Sequence, residues 1–395
     1  MISPYILVYI VVALLTVLSL VNKRYVNICY IFTLIVLTVF LCLRYGQGTD
    51  FPAYEFTYNL SPNRFDYNNG IYFSDVVSID YGWWILNNIF KSIGVSFSGY
   101  IFVLSIVEML LIDRFIRKMD HNRYKVLILL LAFPTVYLTY MFSALRQGLV
   151  IAIFLGVMLP YLVQKKYVRY LAILILVSFL HKSSLILIVM LFIDKVSVKQ
   201  LKYCLIPCFG VGLISSKLFV PIFVLIGKPS YAANLSMNPF ALMERMAMLG
   251  IILFLYEEYV KNSEINKLYK FESPTVDKLL KVYLVGTCMY LTFLMFPLVA
   301  SRLCIFFKLF EIWLIPQMLP YIRRERRIQI LAILFVITAG MTLKNINTSI
   351  KEGSYYNGVS TINYPYVTIF DKNKIRLYRE SSYFDIDVDL NKSKF

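Results

Sequence analysis

The chain has 395 residues, of which 59% are hydrophobic and 16% charged, with a net charge of +17. Soluble domains carry about 45–50% apolar and about 25% charged residues, so both departures point to a membrane protein. They exclude a soluble enzyme, a disordered chain and a disulfide scaffold.

Apolar runs long enough to cross the hydrocarbon, roughly 17–25 residues each, recur from end to end. In chain order they are Tyr5–Val21, Val26–Leu43, Ser96–Ile112, Val126–Ser143, Gly148–Val163, Tyr203–Ile226, Met246–Val260, Val282–Ala300, Leu303–Pro320 and Ile328–Leu343. The first lacks a basic leader and reads as a retained span rather than a cleaved signal. Between the fifth and sixth runs, Val168–Ile193 is apolar apart from His181-Lys-Ser-Ser184. It reads either as one long tilted span or as two helices that turn at His181.

Charge placement chooses between these. With a turn at His181, one side collects Lys23/Arg24, the Arg114–Lys125 loop, Lys165/Lys166/Arg169, Lys195/Lys199/Lys202, the Lys261–Lys281 loop and Arg323/Arg324/Arg326/Arg327. Basic residues in short loops stay on the cytoplasmic side, so the turn is favoured and both termini lie outside. The same rule accounts for the basic excess without nucleic acid. The expected architecture is an all-α polytopic integral membrane protein of about ten full spans plus a helix pair turning at His181. Its membrane domain covers residues 1–343. A long extracytoplasmic loop (44–95) contains a short interfacial helix at Tyr81–Phe90. A second outer loop covers 227–245, and a polar extracytoplasmic tail covers 344–395.

The six cysteines lie in or beside apolar runs and read as small hydrophobes. With only His121 and His181 present, no His-rich metal site exists, and Asp385-Ile-Asp-Val-Asp389 lacks the glycine and glutamate of a calcium loop. No P-loop, dinucleotide fingerprint or nucleophile elbow appears, so no metal, nucleotide or other cofactor is expected. Inside the spans, Lys308 and Glu311 have helical pairing distance, and Glu108 has no evident partner.

A set of cations maps instead to the outer ends of spans. Arg44 ends the second run, Arg146-Gln147 occupies a tight turn, His181-Lys182 the tip of the helix pair, Arg245 a span start, and Ser301-Arg302 a second tight turn. An Arg at a helix end commonly snorkels to the interface. Several converging on one cavity would instead hold phosphate or pyrophosphate through forked hydrogen bonds. Asp50, beside Gly48-Thr49, is a carboxylate with the chemistry of a general base or of a structural partner for Arg44. His181 suits proton transfer, or a hydrogen bond to phosphate, equally well.

The pieces Arg44-Tyr-Gly-Gln-Gly-Thr-Asp-Phe-Pro-Ala-Tyr54, Asp80-Tyr-Gly-Trp-Trp-Ile-Leu86, Leu145-Arg-Gln-Gly148, Phe179-Leu-His-Lys-Ser-Ser184, Ser301-Arg302 and Tyr364-Pro-Tyr-Val-Thr-Ile-Phe370 together resemble the EpsG family. These are Wzy-like polymerases of exopolysaccharide, capsule and O-antigen repeat units. Asp80 stands where the family often has Glu. The resemblance implies transfer of a growing glycan from undecaprenyl pyrophosphate to the non-reducing sugar of a new lipid-linked repeat unit. The reaction would run at the outer face of the bacterial cytoplasmic membrane. Its partners would be the two lipid-linked glycans and membrane lipids, with room for a chain-length regulator. On that reading Arg146 and Arg302 meet the pyrophosphate and Arg44 and Arg245 assist. Asp50 or His181 is the base, and Tyr54, Asp80, Trp83, Trp84 and Gln147 line the sugar path. The rival functions are an O-antigen ligase or another polyprenyl-dependent glycosyltransferase and, from a different class, a flippase for the same lipid.

Overall fold

A computed structural model of the chain describes residues 2–48, 50–61, 80–118, 122–225, 231, 235–265, 273–352 and 358–375. His121, the Asp385–Asp389 segment, residues 62–79 of the first outer loop and residues 227–230 and 232–234 of the second lie outside them. The described residues form an all-helical fold without strands. It divides into two compact units, one of Met1–Pro160, Ile175–Lys182 and Leu334–Phe395, the other of Tyr161–Leu174 and Ser183–Ile333.

The first unit opens with α1 (Pro4–Val21) and α2 (Val26–Cys42). The stripe that α1 buries is Tyr5, Tyr9, Val12, Thr16 and Ser19, at helical spacing, while Leu7, Ile10, Leu14, Val17 and Val21 stay exposed. Hydroxyl-bearing groups inside and aliphatic ones outside is the arrangement of a helix solvated by lipid. After α2 come α3 (Phe51–Leu60), α4 (Tyr81–Ser92) and α5 (Phe97–Arg117). Between them α6 (Lys125–Met141) and α7 (Leu145–Val163) form the centre of the unit. Every residue from Val126 to Pro134 on α6 is buried, as expected for a helix apolar all round. From Phe133 to Met141 α6 relaxes to the wider π form, as α7 does at Phe154–Met158.

The second unit holds the base of a helical hairpin. Its first arm, α8 (Tyr167–Leu180), packs Tyr170, Leu174 and Val177 inward at α-helical spacing. The second arm, Lys182–Lys195, is a 3-10 helix, and its buried residues Ser184, Leu187, Met190 and Ile193 recur every third position. That is the period at which 3-10 side chains eclipse. The Tyr170 hydroxyl donates to the Leu187 carbonyl at 2.8 Å, so the arms fold back on each other, and the expected turn at His181 is present. Fourteen residues at about 2.0 Å rise reach roughly 28 Å, close to the hydrocarbon thickness of about 30 Å. An α-helix of that length would fall short. Beyond it lie α9 (Val198–Leu213), α10 (Ser215–Leu225), α11 (Pro239–Ile265), α12 (Ser273–Thr292), α13 (Pro297–Lys308), α14 (Glu311–Met318) and α15 (Arg324–Glu352).

The spans are partitioned differently from the expectation of ten. Among the described residues, five helices are long and apolar enough to cross a membrane by themselves, seven if two bent pairs each count as one. The pairs are α4 with α5, bent by 119°, and α9 with α10, bent by 72° within the expected Tyr203–Ile226 span. The expected Val282–Ala300 and Leu303–Pro320 spans are three helices. Pro297 keeps Phe296 out of the helical region and starts α13 at its first helical position. Ser301-Arg302 is therefore inside a helix rather than in a turn. The break after Lys308 also defeats its expected pairing with Glu311: Lys308 Nζ grips both oxygens of Glu244, at 2.8 and 2.9 Å.

α15 carries the first residues of the tail, and 358–375 docks on the first unit, antiparallel to the segment after α2. Tyr45 N donates to the Val367 carbonyl at 2.9 Å and Ile369 N to that of Leu43 at 3.0 Å. Tyr366 stacks on Phe40 at 4.2 Å.

Candidate functional site

Asp80, Arg146, His181 and Tyr54 meet in the first unit. Asp80 occupies the N-cap of α4, and its carbonyl accepts from the amides of Trp83 and Trp84. Its carboxylate does not cap the helix, as an N-cap Asp ordinarily would. It points to Arg146 on the first turn of α7, with Oδ2 at 2.9 Å from Nη1. The same oxygen lies 3.6 Å from His181 Nδ1, at the hairpin tip. Arg146 Nε donates to the Tyr54 hydroxyl at 3.4 Å, and the guanidinium lies 5.6 Å above the Tyr54 ring. Burial pushes the Tyr54 hydroxyl above its ordinary pKa against the opposing pull of Arg146, so it stays a neutral phenol.

Three local features of the sequence build this arrangement. Gly82 lets α4 cross the end of α8 at backbone contact, because a Cβ there would lie 2.7 Å from the Phe179 carbonyl carbon. Gly148 lets α7 start against the end of α6, where a Cβ would lie 2.8 Å from the Tyr140 carbonyl oxygen. His181 sits between the end of α8 and the start of the 3-10 helix, so its side chain projects from the tip of the hairpin.

Arg146 retains 26% side-chain exposure, and among the described residues its Nη2 donates no hydrogen bond. Both ring nitrogens of His181 are buried without a hydrogen-bond partner. The constellation thus joins a reachable forked cation, an imidazole with an uncommitted lone pair and a carboxylate between them. Anion binding and proton transfer are the chemistry available to such a set.

Other expected site residues lie elsewhere. Arg44 leaves the anion-binding set, because its guanidinium is committed to protein. Nε donates to the Phe142 carbonyl at 3.2 Å, Nη2 to that of Met141 at 2.8 Å, and Nη1 to Ser105 Oγ at 2.8 Å and to the Leu41 carbonyl. It is 1% exposed, and Glu108 is its buried electrostatic partner. This also supplies the partner that Glu108 lacked in the sequence.

Asp50 is the exception: exposed at the N-cap of α3, it does not pair with Arg44, but its charge acts on Arg146 and Tyr54. Gly46 and Gly48 have φ of +67° and +93°, which only glycine adopts without strain, and they press against Ile375 and Ser143. Gln147 is buried on α7. Trp83 and Trp84 are 1% and 0% exposed in an aromatic core with Tyr58 and Tyr100. Their rings pack α4 against that core.

Arg245 and Arg302 belong to the second unit. Arg302 is exposed on α13. The Arg245 guanidinium lies 4.2 Å over the Tyr290 ring, with Glu244 and Glu311 as electrostatic neighbours. The Tyr283 hydroxyl donates to Glu311 at 3.2 Å.

The fold is that of a polytopic helical membrane protein, with Arg146, Asp80, His181 and Tyr54 gathered at helix ends. The EpsG family model matches residues 27–366. The chain belongs to the EpsG family, a family of Wzy-like polysaccharide polymerases. No curated protein and no solved structure matches it.

Proposed function

We propose that the chain extends a polysaccharide at the outer face of the bacterial cytoplasmic membrane. It would transfer the growing glycan from a polyprenyl pyrophosphate to the non-reducing end of a lipid-linked repeat unit. The single observation that carries this reading is the Arg146–Asp80–His181 constellation, with 2.9 and 3.6 Å separations around one carboxylate oxygen. In the reaction an acceptor hydroxyl attacks the anomeric carbon. The new C–O bond forms as the bond to the pyrophosphate oxygen breaks. The hydroxyl proton goes to His181 Nε2, which keeps a free lone pair when Nδ1 carries the hydrogen toward Asp80. The charge that grows on the departing pyrophosphate is met by the Arg146 guanidinium, already oriented by Asp80 and Tyr54. His181 is taken as the base in preference to Asp50, because its ring lies 3.6 Å from the carboxylate that orients Arg146. Arg302 and Arg245 are proposed as phosphate contacts of the second unit. The donor is already activated, so no nucleotide or cofactor is called on.

The test is a glycan gel from a deletion strain carrying wild-type, Arg146→Ala, His181→Ala or Asp80→Asn copies. Loss of the long ladder, with a single-repeat band retained and the protein still in the membrane, is the expected result for each. A full ladder from Arg146→Ala rejects the assignment. Loss of every repeat-bearing band would point to ligation or translocation instead.

A further inference from the structure

The Arg146 site is short of positive charge for the ion it would hold. Arg146 faces the Asp80 carboxylate at 2.9 Å and also feels the charge of Asp50. One carboxylate is therefore in excess, and a neutral His181 does not offset it. A glycan-bearing polyprenyl pyrophosphate carries a negative charge on each phosphorus and gains another as it departs. One guanidinium shared with two carboxylates leaves that charge uncompensated.

Several other cations of the first unit are committed. Arg44 is spent on carbonyls and Ser105, and Lys91 Nζ donates to the carbonyls of Asn59 and Ser61. Lys374 pairs with Asp371 at 3.1 Å, and Lys372 lies 4.9 Å over the Tyr45 ring. Lys182 differs. It is exposed, and among the described residues its ammonium has no ion pair or hydrogen bond. It directly follows His181, whose Nδ1 lies 3.6 Å from Asp80, so the two Cα atoms are about 3.8 Å apart. The hairpin tip is also reachable. Leu176 and Phe179, in the last turns of α8, are 67% and 52% exposed, and Phe179 is the residue that Gly82 meets at backbone contact. An anion carried on a lipid chain can thus approach along the open face of α8, with no closed cavity to enter.

We propose that Lys182 holds the second phosphate of the donor, the one that bears the prenyl chain, while Arg146 meets the phosphate next to the sugar. This rests on the polymerase reading and adds a binding residue to it. The two side chains suit the two positions. Arg146, fixed by Asp80 and Tyr54, presents a fork at the bond that breaks. Lys182 is a point charge on a flexible stem, fit for a phosphate that arrives with its lipid and leaves with it after transfer. Its charge also offsets the carboxylate in excess.

The test uses the full chain in phosphatidylcholine nanodiscs, with radiolabelled farnesyl pyrophosphate as the probe and empty nanodiscs as the blank. Lys182→Ala should weaken binding about tenfold, the scale of one charge-assisted hydrogen bond, and Lys182→Arg should recover most of it. The unfolding temperature of Lys182→Ala should match wild type, because nothing in the protein pairs with the ammonium. Excess phosphatidylglycerol should displace little of the probe from wild type. Unchanged binding in Lys182→Ala, or no recovery in Lys182→Arg, overturns the proposal. So does displacement by phosphatidylglycerol as complete as by unlabelled probe, which would make Lys182 a general anchor for anionic lipid. Such a failure, with the ladder still dependent on Arg146, would reject the role of Lys182 and leave the polymerase. A ladder independent of Arg146, with probe binding still lost in Lys182→Ala, would do the reverse.

Discussion

Replacing Gly82 by alanine tests the geometry of the site without touching any of its polar groups. The new Cβ would lie 2.7 Å from the carbonyl carbon of Phe179 and 2.8 Å from its oxygen. Carbon atoms settle at about 3.5–4.0 Å, so α4 and the end of α8 must separate by roughly 0.8–1.3 Å. The obstruction is backbone, and no rotamer change can relieve it. The separation falls between Asp80, two residues before Gly82, and His181, two residues after Phe179. Their 3.6 Å approach therefore opens, while the 2.9 Å bond from Asp80 to Arg146 must stretch or follow. Misplacement by about 1 Å can cost on the order of 100-fold in rate, near 2.7 kcal/mol of barrier. Helix propensity acts the other way, since Ala in a helix is favoured over Gly by about 0.5–1 kcal/mol. The variant should therefore accumulate in the membrane yet yield about one hundredth of the long-chain glycan. Gly250→Ala and Gly340→Ala, which meet nothing within 4 Å, are the controls. The assay is ladder intensity normalised to membrane abundance. A wild-type ladder from Gly82→Ala would refute the reasoning, and so would a loss explained wholly by missing protein.

Arg44 should behave as a structural residue. Arg44→Met strips hydrogen bonds from buried carbonyls of Leu41, Met141 and Phe142 and leaves Glu108 without its counter-charge, costing about 3–5 kcal/mol. Its membrane abundance should collapse, whereas Arg146→Ala keeps abundance and loses the ladder; equal abundance of the two variants would contradict this. On the 3-10 arm, Leu187→Ala should cost about 2–5 kcal/mol and Leu185→Ala little, because Leu187 is 0% exposed and Leu185 51%. Thermal unfolding in nanodiscs compares them, and equal losses would refute the threefold burial pattern. In the tail, the Thr368 hydroxyl and amide hold the Asp371 carboxyl below its ordinary range. A depressed folded pKa stabilises above the unfolded value, near 3.9, and that stabilisation is lost as pH falls through the lower folded value. Limited proteolysis of residues 358–375 should therefore be pH-independent from about 5 to 8 and rise only below about 4. Asp371→Asn should raise it from about pH 5 to 8 and remove the rise at low pH.

The division between what was readable early and what was not follows particular residues. His181-Lys-Ser-Ser184 interrupts an apolar run, and the chain does fold back there. The 3-10 form of the second arm was not evident, since both helical forms suit a uniformly apolar segment until packing selects a period. Pro297 carried the signal that splits Val282–Ala300, but the apolar content around it reads as continuous. Asp80 with Gly82 offered the clue to the close crossing that brings a carboxylate to His181.

Residence in lipid, helical content and the hairpin were determined by the sequence by itself. The free energy of moving a segment from water into hydrocarbon sums over neighbouring residues and can be read along the chain. The fate of each charge was decided only by the tertiary structure. Arg44 and Arg146 look alike at helix ends, yet Arg44 meets a carbonyl 98 residues away and Arg146 a carboxylate 66 residues away. A buried cation is governed by which acceptors surround it, and in a helical membrane protein those acceptors come from other helices.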